Sequence, residues 1–135
     1  VSLVVCNDGD IAFLDDVANG SLMGAFLRLY VNAHTPVEGD TVAAYTEATY
    51  PGYAGVSMLG WSSAYLNVGG KAQVDHAMVT FTAGLIVTPE DVYGIYVTDG
   101  AGNLLYAEED PAGPVNINTP GQTYTYTPAV TGNTE

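Results

Sequence analysis

Residues 92–110 read VYGIYVTDGAGNLLYAEED, two runs rich in β-branched and aromatic side chains around Asp99-Gly100-Ala101-Gly102-Asn103. Glycine supplies positive φ without steric cost, and Asp or Asn bonds the local backbone, so the five central residues predict a hairpin loop. Pairing Thr98 with Leu104 sets Val97 opposite Leu105, Tyr96 opposite Tyr106 and Ile95 opposite Ala107. One face then holds Tyr93, Ile95, Val97, Leu105 and Ala107 and is mostly apolar; the other holds Tyr96, Thr98, Tyr106 and Glu108. A slip of one residue would exchange the two faces.

Working outward, Val74–Thr82 alternates Ala77, Val79 and Phe81 against His76, Met78 and Thr80. Leu22–Asn32 alternates Leu27, Leu29 and Val31 against Phe26, Arg28, Tyr30 and Asn32. Gln122–Val130 sets Tyr124 and Tyr126 against threonines, Tyr53–Leu59 reads as a strand, and Val115–Asn118 as a short edge piece after Pro114. Pro51-Gly52, Val68-Gly69-Gly70-Lys71 and Asp110-Pro111-Ala112-Gly113-Pro114 are turn signals. Asp8–Ala18 changes period, with Ile11, Leu14 and Ala18 on one helical face, Asp8 as cap and Gly20 past the end. The expectation is an all-β sandwich or jelly roll of about eight short antiparallel strands with one short N-terminal helix. It forms a single domain over 1–130, followed by a frayed tail at 131–135.

Lys and Arg total 2 against 15 Asp and Glu, a formal net charge of -13. Arg28 and Lys71 cannot neutralise a phosphate backbone, so neither nucleic acid nor an anionic membrane is an expected partner. Cys6 is the single cysteine and reads as a small buried hydrophobe. No signal-like start and no apolar run of spanning length stand out. His34 and His76 lie in no metal-spaced motif. The run Glu108-Glu109-Asp110 points alternately to opposite faces, so it does not converge on calcium. No nucleophile elbow or phosphate-binding glycine loop is present, and the chain is read as a non-enzyme without cofactor or metal.

Phe26, Tyr30, Tyr96, Tyr106, Tyr124 and Tyr126 alternate away from the assigned core. If uncovered, they form an aromatic stripe suited to protein contact, or a carbohydrate platform around Trp61; the alternative is a covering layer from the chain itself. Thr41–Trp61, TVAAYTEATYPGYAGVSMLGW, together with Val92–Glu109, resembles a family of small proteins encoded among tailed-bacteriophage structural genes. The shared order runs through LRLYVN at Leu27–Asn32, the Thr35-Pro36 loop, the Pro-Gly-Tyr-Ala turn and the VYGxYVTD hairpin. The resemblance implies a virion protein assembled in the host cytoplasm, such as a capsid decoration or cement protein, bound to the major capsid protein or another virion component. A homo-oligomer is the expected state. Contact is expected from Phe26, Tyr30, Tyr96 and Tyr106 on the stripe. The remaining contacts are Thr46, Glu47, Tyr50 and Tyr53, on an arm over Thr46–Tyr53 that would lie on a neighbour's sheet edge. A tail or fibre component and a carbohydrate- or receptor-binding module are the competing readings.

Overall fold

The computed structural model describes residues 24–85 and 88–132, together with Asp15, Asp16 and Gly20. The described chain is all-β. Eleven short strands are β1 (Phe26–Tyr30), β2 (Val56–Ser57), β3 (Tyr65–Leu66), β4 (Ala72–Asp75), β5 (Val79–Thr82), β6 (Glu90–Val92), β7 (Gly94–Thr98), β8 (Leu104–Glu109), β9 (Val115–Ile117), β10 (Thr123–Tyr126) and β11 (Ala129–Thr131). They form four small sheets with the orders β2-β1-β7-β8, β10-β5, β11-β4-β3 and β6-β9. β1 pairs antiparallel with β2 and β7, β7 with β8, β4 with β3 and β11, and β6 with β9. Helical backbone among the described residues is limited to a 3-10 turn at Val42–Ala44 and the pair Asp15-Asp16. The helix expected over Asp8–Ala18 lies outside the described residues apart from Asp15 and Asp16, as do Cys6 and the last three residues of the expected tail. No described helix is long and apolar enough to cross a membrane.

Strands outnumber the expected eight in part because two long alternating runs are interrupted, and Tyr65–Leu66 and Glu90–Val92 add short strands of their own. Val74–Thr82 is broken at His76–Met78, where the His76 amide bonds the Pro128 carbonyl. Gln122–Val130 is broken at Thr127-Pro128, since proline cannot donate to a ladder. Thr131, expected in the tail, is instead paired with Gln73 at the end of β11.

The chain groups into two compact units. The first comprises Ala25–Ser57 and Thr80–Thr125, and the second Val1–Gly24, Met58–Val79 and Tyr126–Glu135. The first is built on the four-stranded sheet. β1 lies between β2 and β7, with Leu27 against Val97 and Leu29 against Ile95. All four of these residues are buried, and they form one apolar face. The hairpin loop closes as expected: the Asp99 amide bonds the Asn103 carbonyl, and Gly102 takes φ +90°. Both Asp99 carboxylate oxygens accept bonds, from the Ala101 and Asn103 amides and from Asn103 Nδ2.

The hairpin register departs from the expected one beyond its first pair. Thr98 faces Leu104, but Val97 faces Tyr106, Tyr96 faces Ala107 and Ile95 faces Glu108. Leu105 is the extra residue of a β-bulge, which shifts all that follows by one position. Tyr106 therefore shares a face with Val97, not with Tyr96. β7 is buried along its whole length, on both faces.

The second unit centres on Ala72 and Val74 of β4, with Trp61, Ala64 and Val130 packed against them. Its turn at residues 67–71 is tied by Asn67, whose Oδ1 accepts from the Gly69 and Lys71 amides.

Candidate functional site

Phe26, Arg28 and Tyr30 share the sheet face of Tyr96, because their partners across the ladder are Thr98, Tyr96 and Gly94. A cation on a half-buried strand face needs an acid, and the chain folds back to bring one. After the 3-10 turn, Tyr45–Ala48 runs antiparallel to β1. The Val31 amide bonds the Thr46 carbonyl, and the Ala48 amide bonds the Leu29 carbonyl. Two further edge bonds come from side chains. The Leu29 amide donates to the Tyr53 hydroxyl (3.2 Å) and the Thr46 amide to Asn32 Oδ1 (2.8 Å). Side chains thus stand where backbone carbonyls would complete the ladder, and the edge is satisfied without a full strand.

That fold-back places Glu47 over the sheet. Its Oε2 accepts from Arg28 Nη1 (2.9 Å) and from the Tyr53 hydroxyl (2.7 Å), while Arg28 Nε donates to Thr98 Oγ1 (3.1 Å). Burial works against the Arg28 charge, yet the Glu47 hydrogen bond and charge outweigh it and raise its pKa. Burial, then the bond to Glu47, raises the Tyr53 phenol far above its ordinary value. A part-exposed ion pair alone contributes about 1 kcal/mol at most, so the network acts mainly by fixing the segment's position.

Beside it, Tyr30, Tyr45 and Tyr96 form a buried aromatic cluster. Tyr45 stacks on Tyr96 at 5.3 Å and meets Tyr30 edge-on at 5.0 Å. The Tyr45 hydroxyl donates to Asp40 Oδ2 (2.7 Å), which also accepts from the Val37 amide (3.0 Å) and lies 2.7 Å from His34 Nε2. The Val37 amide first, then His34 and Tyr45, hold the Asp40 carboxyl down at about 2. Burial pushes Tyr30 and Tyr96 up to about 12.

The expected contact residues therefore divide. Tyr30 is fully buried and Tyr96 is 3% exposed, so neither ring is open: the chain's own Tyr45–Tyr53 segment covers the face that an open stripe would need. Phe26 is half-buried under the Arg28 guanidinium, 5.4 Å from its ring centre. The expected arm is anchored on its own β1, with Glu47 and Tyr53 in the ion network and Thr46 exposed. Tyr50 is buried against Tyr53. Tyr106 is half-buried on the opposite face, and its hydroxyl and that of Tyr50 are buried without a hydrogen-bond partner. Tyr124, also expected on an open face, is buried and bonds Asp110 through its hydroxyl. Reading the sequence missed Asn32, Asp40 and Tyr45. The available signal was Arg28, one of only two cations, set among alternating apolar residues.

The open surface lies elsewhere. Along β8, a groove of about 390 Å³ is lined by Pro36, Val37, Asp40, Tyr45, Leu105 and Ala107, among others. In the second unit Leu59, Tyr65, Leu66, Val68 and Met78 are exposed. Trp61 is half-buried, edge-on to His76 at 5.4 Å, with its indole N–H buried and unbonded. It is packed on Ala72 and Val74 instead of forming a free platform. Among the described residues no three His, Cys, Asp or Glu side chains gather as a metal site. Comparison of the chain with family models, curated proteins and solved structures found no match.

Proposed function

We propose that this chain is a non-enzymatic structural protein of a tailed-phage virion, most specifically a capsid decoration protein. It binds the major capsid protein or another shell component and its own copies, on a sandwich or jelly-roll scaffold. The observation that carries the proposal is the set of open apolar side chains in the second unit, Leu59, Tyr65, Leu66, Val68 and Met78, on a chain of net charge -13. Several exposed apolar residues within one unit favour association. The acidic surface repels other copies at long range and delays association until a shell template is present. The described acids at the first unit's networks, Glu47, Asp40 and Asp99, are engaged in holding local structure, a use distinct from chemistry on a substrate. The resemblance at 41–61 and 92–109 supplies the virion context.

The test is assembly of capsids with and without the chain, followed by sedimentation. Stoichiometric co-sedimentation that is lost in the Leu66→Lys/Met78→Lys variant supports the proposal. A chain that stays in the supernatant refutes the decoration role, and a few copies confined to the tail would transfer it to the tail reading.

A further inference from the structure

The four-stranded sheet has two unlike edges. The β1 side is closed by β2 and by the fold-back at Tyr45–Ala48. The other edge is β8, the longest strand, and among the described residues no strand pairs with its outer side. The Asp110 amide bonds the Tyr93 carbonyl and the Asp99 amide the Asn103 carbonyl, which fixes the phase of the ladder. Ala107 and Glu109 then turn their N–H and C=O groups outward. The groove flanks this edge, with Val37, Glu38 and Leu105 exposed along it. Side chains projecting from one face of an added strand would enter it.

We infer that the β8 edge receives an extended segment of another protein by strand addition, and that this segment is basic, alternating apolar residues with Lys or Arg. Backbone bonds to Ala107 and Glu109 supply affinity, and the groove takes the apolar positions. Charge selects the occupant. Exposed Glu109 lies at one end of the strand and exposed Glu38 lines the groove, on a chain whose two cations are Arg28, bonded to Glu47, and Lys71. A second copy would set -13 against -13, whereas a basic segment meets complementary charge. The inference rests on the contact role proposed above and names the partner chemistry of one surface.

The test is amide hydrogen exchange by NMR on the full chain, with three synthetic eight-residue peptides: alternating Val and Lys, alternating Val and Glu, and the Lys peptide with a central proline. Saturating Val-Lys peptide is expected to slow exchange at Ala107 and Glu109 by about tenfold or more, with no such protection from the other two. Glu38→Lys/Glu109→Lys should abolish the preference for Lys over Glu. Unchanged exchange with the Val-Lys peptide, or equal protection by the Glu peptide, would overturn the inference. So would concentration-dependent protection of the same amides without peptide, which would make a second copy the occupant. Capsid co-sedimentation is read separately: retained binding to capsids with no peptide effect would sink this inference alone, and loss of both would sink the contact role with it.

Discussion

The two edges of the β2-β1-β7-β8 sheet solve one problem in opposite ways. An unpaired strand edge is a row of donors and acceptors that invites another chain. On the β1 side the chain supplies its own partner, and where backbone cannot reach, Tyr53 and Asn32 complete the bonds. On the β8 side no described strand is supplied; a bulge at Leu105 and carboxylates at the far end are what stands there. The comparison teaches that a closed edge consumes specific polar side chains, Arg28, Glu47 and Tyr53 among them, whereas an open edge leaves its selectivity to charge.

Substitutions should separate the two edges. The largest effect is expected at Gly94, which both edges depend on: an added Cβ would press on the Glu108 carbonyl oxygen, the Glu109 Cα and the Tyr30 ring. Gly94→Ala is expected to cost about 3 kcal/mol in chemical denaturation, and a near-native midpoint would mean that β7 and β8 are less tightly apposed. Tyr53→Phe breaks the closed edge alone. It leaves the Leu29 amide unpaired and removes a donor from Glu47, at a cost of about 2 kcal/mol.

Acid sharpens the comparison next to the open edge. Asp40 has its carboxyl lowered from 3.8 to about 2, so its contribution is fully present above pH 3.8 and is lost as pH falls through about 2. Stability should decline across that window, and Asp40→Asn should flatten the decline. A slope unchanged in the variant would show that other carboxylates govern it. The smallest effect is expected from Leu105→Ser on the exposed bulge, within about 0.5 kcal/mol of the parent. A large loss there would mean that the open edge supports the fold after all.

Much of the architecture was legible. The hairpin loop, the Pro51-Gly52 turn, the corner after Asp110 and the alternation of β1 all follow from local chemistry, and each is present. What failed was long-range. One inserted residue, Leu105, rephased the hairpin, and local alternation carries no sign of a bulge within the Leu104-Leu105 pair. The stripe of Phe26, Tyr30 and Tyr96 was correctly assigned to the face opposite Leu27 and Leu29. Its cover could not be read, because Glu47 reaches Arg28 across 19 residues and Tyr53 reaches Leu29 across 24. Tyrosine alternation looks the same on a wet face as on one roofed by a loop.

The Asp99-Gly100 step has a consequence for chemical ageing. Aspartyl-glycine bonds rearrange when the glycine nitrogen attacks the side-chain carboxyl, a reaction that proceeds through the protonated acid. Here Asn103, by side chain and then backbone, keeps that carboxyl below its ordinary pKa, and three donors immobilise its oxygens. The folded hairpin should therefore resist isoaspartate formation that the unfolded chain undergoes, so the loop that closes the sheet also sets how long the polypeptide keeps its original backbone.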